Sequence, residues 1–80
     1  METITNKAVN IQLDHEKGTF CLTELLAGTM VFLYDSQGDL KGKQKFTLPS
    51  MIMIIPEPGT YVLVMSHPNC QTEVRRITYP

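Results

Sequence analysis

Two histidines, His15 and His67, and two cysteines, Cys21 and Cys70, are the side chains best suited to acid–base, nucleophilic or metal chemistry. His15 sits in the charged run Asp14-His15-Glu16, and His67 precedes Pro68. Neither has a second histidine at metal-ligand spacing, and two cysteines are too few for a four-cysteine zinc site. Cys70 and His67 flank one turn, which makes them the nearest approach to a nucleophile–base pair, but no oxyanion or orienting element stands beside them. Ser36 and Ser66 lack the strand–turn–helix context of a nucleophile elbow. Gly38-x-x-x-Gly42-Lys43 has neither the spacing nor the Ser/Thr of a phosphate-cradling loop. Asp35-Ser36-Gln37-Gly38-Asp39 offers carboxylate oxygens without the acidic alternation and closing glutamate of a calcium loop. It reads instead as a hairpin turn opened by Asp35 and closed at positive φ near Gly38. The expectation is a protein that is not an enzyme and takes no cofactor or metal, with a small Cys/His enzyme as a remote alternative.

Charge is the next source of function. Lys41, Lys43 and Lys45 recur at every second position, so an unbroken strand would set all of them on one face. With Arg75 and Arg76 they form a candidate basic surface. The competing reading is an edge strand whose lysines block unwanted pairing. Seven basic and eight acidic side chains leave a net charge of -1, and no aromatics interleave the lysines, which excludes a nucleic-acid partner.

The 80 residues fit one domain spanning 1–80, and 42% hydrophobic with 19% charged residues is a globular mixture. The longest apolar run, Met51 to Ile55, is too short for membrane insertion. The N-terminus has no basic start followed by an apolar stretch, so the chain as given carries no secretory signal. Short apolar runs separated by turn residues predict an all-β domain of seven strands. They are expected near Ala8–Asp14, Thr19–Thr23, Thr29–Asp35, Leu40–Leu48, Met51–Ile55, Thr60–Ser66 and Gln71–Tyr79; Glu24–Ala27 offers at most a helical stretch that Gly28 ends within a turn. One thiol is expected to be buried and the other partly exposed.

Two strands are apolar on both sides. If Met51, Met53, Tyr61, Leu63 and Met65 fill the core, then Ile52, Ile54, Val62 and Val64 lie outside. Side by side they would make a patch of roughly a few hundred Å2, large enough to be a partner surface. Alternatively Ile4 or the chain end, Ile77 and Tyr79, covers them. Tyr34, Tyr61 and Tyr79 are expected in the core or at strand ends, not as a sugar-binding platform.

Two segments carry a recognisable layout: Val31-x-Leu33-Tyr34-Asp35-x-x-Gly38, and Pro58-Gly59-x-Tyr61-x-Leu63-x-Met65 followed by Arg75-Arg76-Ile77. In this order they resemble the C-terminal sorting domains of type IX secretion cargo, and equally a group of small exported immunoglobulin-like domains of unknown function. The resemblance covers about Gly18 to Tyr79. The Tyr-Pro-Asn-Pro-like opening of the sorting domains does not occur in this chain, which favours the free-standing group.

The resemblance implies a seven-stranded antiparallel immunoglobulin-like or fibronectin-like β-sandwich, secreted or periplasmic. Its expected role is a non-catalytic interaction module at the cell envelope, with a sorting or attachment domain as the alternative. A protein partner, self-association and a glycan remain open as ligands. Gly59 would permit a tight corner and Tyr61 would bond back to upstream backbone, as in the tyrosine corner of such sandwiches. Leu63 stands where antibody domains place a core cysteine, so Cys21 has no bridging partner there and apolar packing must hold the core.

Overall fold

Alternation with a period of two organises the chain: in β3 (Met30–Asp35) Val31 and Leu33 are buried while Met30, Phe32 and Tyr34 are half-buried on the other side. The computed structural model describes residue 6 and residues 8–80. The remaining strands are β1 (Asn10–Asp14), β2 (Thr19–Thr23), β4 (Leu40–Lys45), β5 (Ser50–Ile54), β6 (Gly59–His67) and β7 (Cys70–Tyr79). All pair antiparallel, in a three-stranded sheet of order β1-β2-β5 and a four-stranded sheet of order β4-β3-β6-β7. The expected all-β sandwich of seven strands is the fold observed.

The chain changes sheet after β2, after β4 and again after β5. These crossings separate strands that follow one another in sequence. β5 pairs with β2, not with β6.

The core lies between the inner faces. Phe20, Leu22, Met51 and Met53 from one sheet meet Val31, Leu33, Tyr61, Leu63 and Met65 from the other, with Leu25, Phe46 and Ile55 closing the rims. The inward set inferred from the sequence, Met51, Met53, Tyr61, Leu63 and Met65, is buried throughout. Burying a side chain of this size is worth about 1.5–3 kcal/mol. Both cysteines are free, and the core is an apolar cluster without a disulfide. Each is half-buried, so the expected contrast between a buried and an exposed thiol is absent.

Turn chemistry follows residue type. The Asp14 carboxylate accepts the Glu16 and Lys17 N–H groups, shaping the β1–β2 hairpin. Asp35 does the same for Gln37 and Asp39, and Gly38 closes that loop at φ 85°. The β2–β3 connection contains no helix: Glu24 has φ 66°, a conformation that interrupts a helical turn. A buried polar knot holds this connection instead. Leu26 N–H donates to Asn6 Oδ1 at 2.9 Å, Asn6 Nδ2 donates to Thr29 Oγ1 at 3.2 Å, and Thr29 Oγ1 donates to the Leu26 carbonyl at 2.7 Å.

Candidate functional site

The outer face of the four-stranded sheet carries a contiguous set of apolar side chains. Cross-strand register assembles it row by row. In one row Lys43, Phe32, Val64 and Val74 lie abreast on β4, β3, β6 and β7. In the next, Leu40, Tyr34, Val62 and Arg76 lie abreast, and in a third Lys45 stands opposite Met30 and Ser66. Val74 is 57% and Leu40 51% exposed; Met30, Phe32, Tyr34, Val62 and Val64 are half-buried.

The rings of Phe32 and Tyr34 are stacked, with centroids 6.5 Å apart and planes at 26°. Lys43 holds its ammonium 5.8 Å from the Phe32 centroid, within reach of a cation–π contact. At one end Tyr34, Asp35, Ser36, Thr60, Val62 and Arg76 line an open groove of about 450 Å3. Tyr34 is therefore a half-buried outer-face residue next to the end of β3, one of the two placements expected for it. Tyr61 and Tyr79 behave as expected: Tyr61 is core, and Tyr79 packs at the core edge with its hydroxyl donating to the His15 carbonyl at 2.9 Å.

The proposed quartet of aliphatic residues does not form one patch. Val62 and Val64 occupy the middle of this face, whereas Ile52 and Ile54 lie on the outer face of the other sheet, on its edge strand β5. They are 61% and 71% exposed there. The error has a definite origin: β5 and β6 are adjacent in sequence but belong to opposite layers. Ile77 and Tyr79 pack toward the core and cover neither group. Ile4 lies outside the described residues.

The basic residues are likewise divided. A bulge between Leu33 and Tyr34 leaves Lys41 without a ladder partner and sets Leu40 opposite Tyr34. Strict alternation therefore fails: Leu40 joins Lys43 and Lys45 on the outer face. Lys41 reaches instead to Asp35, at 3.6 Å. Arg75, opposite Leu63, faces the sandwich interior and pairs with Glu73 at 2.9 Å, while Arg76 faces outward. Lys43 and Lys45 thus border one edge of the apolar face and Arg76 the other. The basic set frames that face and is not a stripe of its own.

Of the residues suited to catalysis, His15 and Cys21 line an open pocket with Asp14, Glu16 and Ile52, while His67 and Cys70 are held in hydrogen bonds. His67 Nδ1 accepts the Asn69 N–H at 3.1 Å, and Cys70 Sγ accepts from Asn6 Nδ2 at 3.7 Å. Among the described residues no group of three or more His, Cys, Asp or Glu gathers as metal ligands would. No helix is long and apolar enough to cross a membrane.

The outer face was partly legible in advance. Val31-Phe32-Leu33-Tyr34 is apolar on both sides, the same signal that singled out Val62 and Val64. What the sequence lacked was the pairing of β3 with β6 that makes these residues neighbours.

No family model matches the chain, and no curated protein matches it in sequence. The structure is similar to part of PorZ, an essential bacterial surface component of the type IX secretion system of the human oral-microbiome bacterium Porphyromonas gingivalis. The two superpose with a TM-score of 0.75 at 16% sequence identity, over 89% of this chain and 11% of that one. The chain therefore shares its β-sandwich fold with a segment of a type IX secretion component and spans only a small part of that protein's length.

Proposed function

We propose that residues 1–80 form a single non-catalytic protein-interaction module that acts at the bacterial cell envelope or outside the cell, with the outer face of β4-β3-β6-β7 as its contact surface. The observation that carries this reading is the contiguous set Phe32, Tyr34, Val62, Val64 and Val74 on a face that no other described element covers. Exposed apolar patches beyond roughly a few hundred Å2 are uncommon on monomeric proteins and mark contact surfaces. The shared fold with a surface component of a secretion system supports the envelope setting. The sheet orders and the Tyr61 bend support an immunoglobulin-like classification of the sandwich.

A photo-crosslinking residue at Val64, with Ile52 as the control position, tests the reading in the organism that encodes the chain. The expected result is a protein adduct at Val64 and none at Ile52, in the envelope or the medium. Recovery in the cytoplasm without an adduct at Val64 overturns it.

The fold likeness to a type IX component also favours a second reading, a sorting or attachment domain recognised by export machinery. Fusion to a reporter separates the two. A sorting domain sends the reporter out of a strain with active type IX export and leaves it inside a strain without it.

A further inference from the structure

The charged residues of the contact face are unlike those of the chain as a whole. The chain carries a net charge of -1, yet the residues on the outer ladder positions of β4, β3, β6 and β7 that are charged at neutral pH are all cations: Lys43, Lys45 and Arg76. The nearest carboxylate, Asp35 at the end of β3, is already occupied by the Gln37 and Asp39 N–H groups and by Lys41. Glu73 faces inward with Arg75. The apolar centre is thus bordered by cations on both sides, and Asp35, the carboxylate that lines the end groove with Arg76, is engaged by Lys41 and two backbone N–H groups.

From this arrangement we propose that the occupant of the face is an acidic protein segment: a strip of aliphatic or aromatic side chains bordered by carboxylates. The inference rests on the contact-surface reading and adds the chemistry of the partner. Aliphatic or aromatic groups would cover Phe32, Tyr34, Val62 and Val64, and one carboxylate would meet Arg76 at the mouth of the groove formed with Tyr34 and Val62. The other would meet Lys43 or Lys45.

The spacing suits an extended segment. Three interstrand steps separate β4 from β7, about 14 Å at ~4.8 Å each. An extended chain lying across the sheet covers that span in about four residues at ~3.3 Å per residue, and alternate side chains then face the sheet. Arg is well suited to a carboxylate because its guanidinium donates through two parallel N–H groups. A second copy of this chain fits poorly, since face-to-face stacking sets cationic borders against cationic borders. A glycan fits poorly as well, because Val62, Val64 and Val74 offer sugar hydroxyls no polar partner and Lys43 already lies over the Phe32 ring.

Panning a random peptide display library against the folded chain tests the inference. Selected peptides should combine Asp or Glu with aliphatic or aromatic residues. Their addition should shift the amide resonances of Phe32, Tyr34, Val62 and Val64. Binding should weaken as salt rises, and by about tenfold or more in the Lys43→Gln/Arg76→Gln variant, whose fold is checked by circular dichroism.

Selection of neutral or basic peptides on this face overturns the acidic partner while leaving the contact surface in place. Binders that map elsewhere, or no binders, overturn it too, and the crosslink at Val64 then decides separately whether the contact surface stands. Sedimentation showing a dimer that Val64→Glu dissolves would make a second copy the occupant and also overturn it.

Discussion

The Tyr61 hydroxyl donates a 2.6 Å hydrogen bond to the carbonyl oxygen of Glu57, four residues upstream. The bond ties the start of β6 to the loop that enters it, while the ring is 2% exposed in the core. Gly59, between the two, has φ 150°, which a side chain rarely adopts, so glycine is the residue suited to the bend. One residue thus fills the core and fixes the corner.

Removing only the hydroxyl separates those roles. Tyr61→Phe keeps the ring and loses the bond, for an expected cost of about 1 kcal/mol and a fall in Tm of roughly 4–8 °C. Thermal unfolding followed by circular dichroism measures it. An unchanged Tm would show that the corner does not depend on the bond.

Asn6 is 1% exposed and connects the N-terminal segment to the β2–β3 connection through Leu26 and Thr29. Asn6→Ala leaves the part-buried Leu26 N–H without its acceptor, for an expected cost of about 1–3 kcal/mol. Urea titration reads this as a lower midpoint at constant m. In hydrogen exchange the Leu26 amide should lose protection in the variant.

Leu63 and Val64 are adjacent on β6 and face opposite ways, Leu63 wholly buried and Val64 half-buried on the outer face. Leu63→Ala should cost about 2–5 kcal/mol through lost contacts and a residual cavity. Val64→Ala should cost under about 1 kcal/mol, because the site opens to solvent. Equal costs, measured by denaturant unfolding, would contradict the observed register.

The Asp39 N–H, then the Gln37 N–H and the Lys41 ammonium, hold the Asp35 carboxyl below its ordinary value near 3.8. A depressed folded pKa stabilises the fold above the unfolded value, and that contribution disappears as the pH falls through the folded value. The stability gap between the wild type and Asp35→Asn should therefore narrow on acidification below about 3.8. Denaturant midpoints over that range measure the gap, and a gap independent of pH would exclude the linkage.

Several features follow from local sequence because their causes are local. Short apolar runs between turn residues placed every strand, and alternation separated Met51, Met53, Tyr61, Leu63 and Met65 from the outward residues. Asp14 and Asp35 shaped their turns through carboxylates that bond backbone only a few residues ahead. The Tyr61 corner belongs to the same class, since donor and acceptor lie within one turn of chain.

Tertiary structure decided which strands became neighbours, and so which residues share a surface. Alternation shows that Ile52 and Val64 point away from the core, but not that β5 joins β2 while β6 joins β3. That choice separated Ile52 and Ile54 from Val62 and Val64, and brought Phe32, Tyr34 and Val74 beside the latter pair. The bulge at Lys41 and the inward turn of Arg75 likewise depend on a partner strand. The physical reason is that side-chain direction is set by a residue's own backbone, whereas the composition of a face is set by hydrogen bonds between segments distant in sequence.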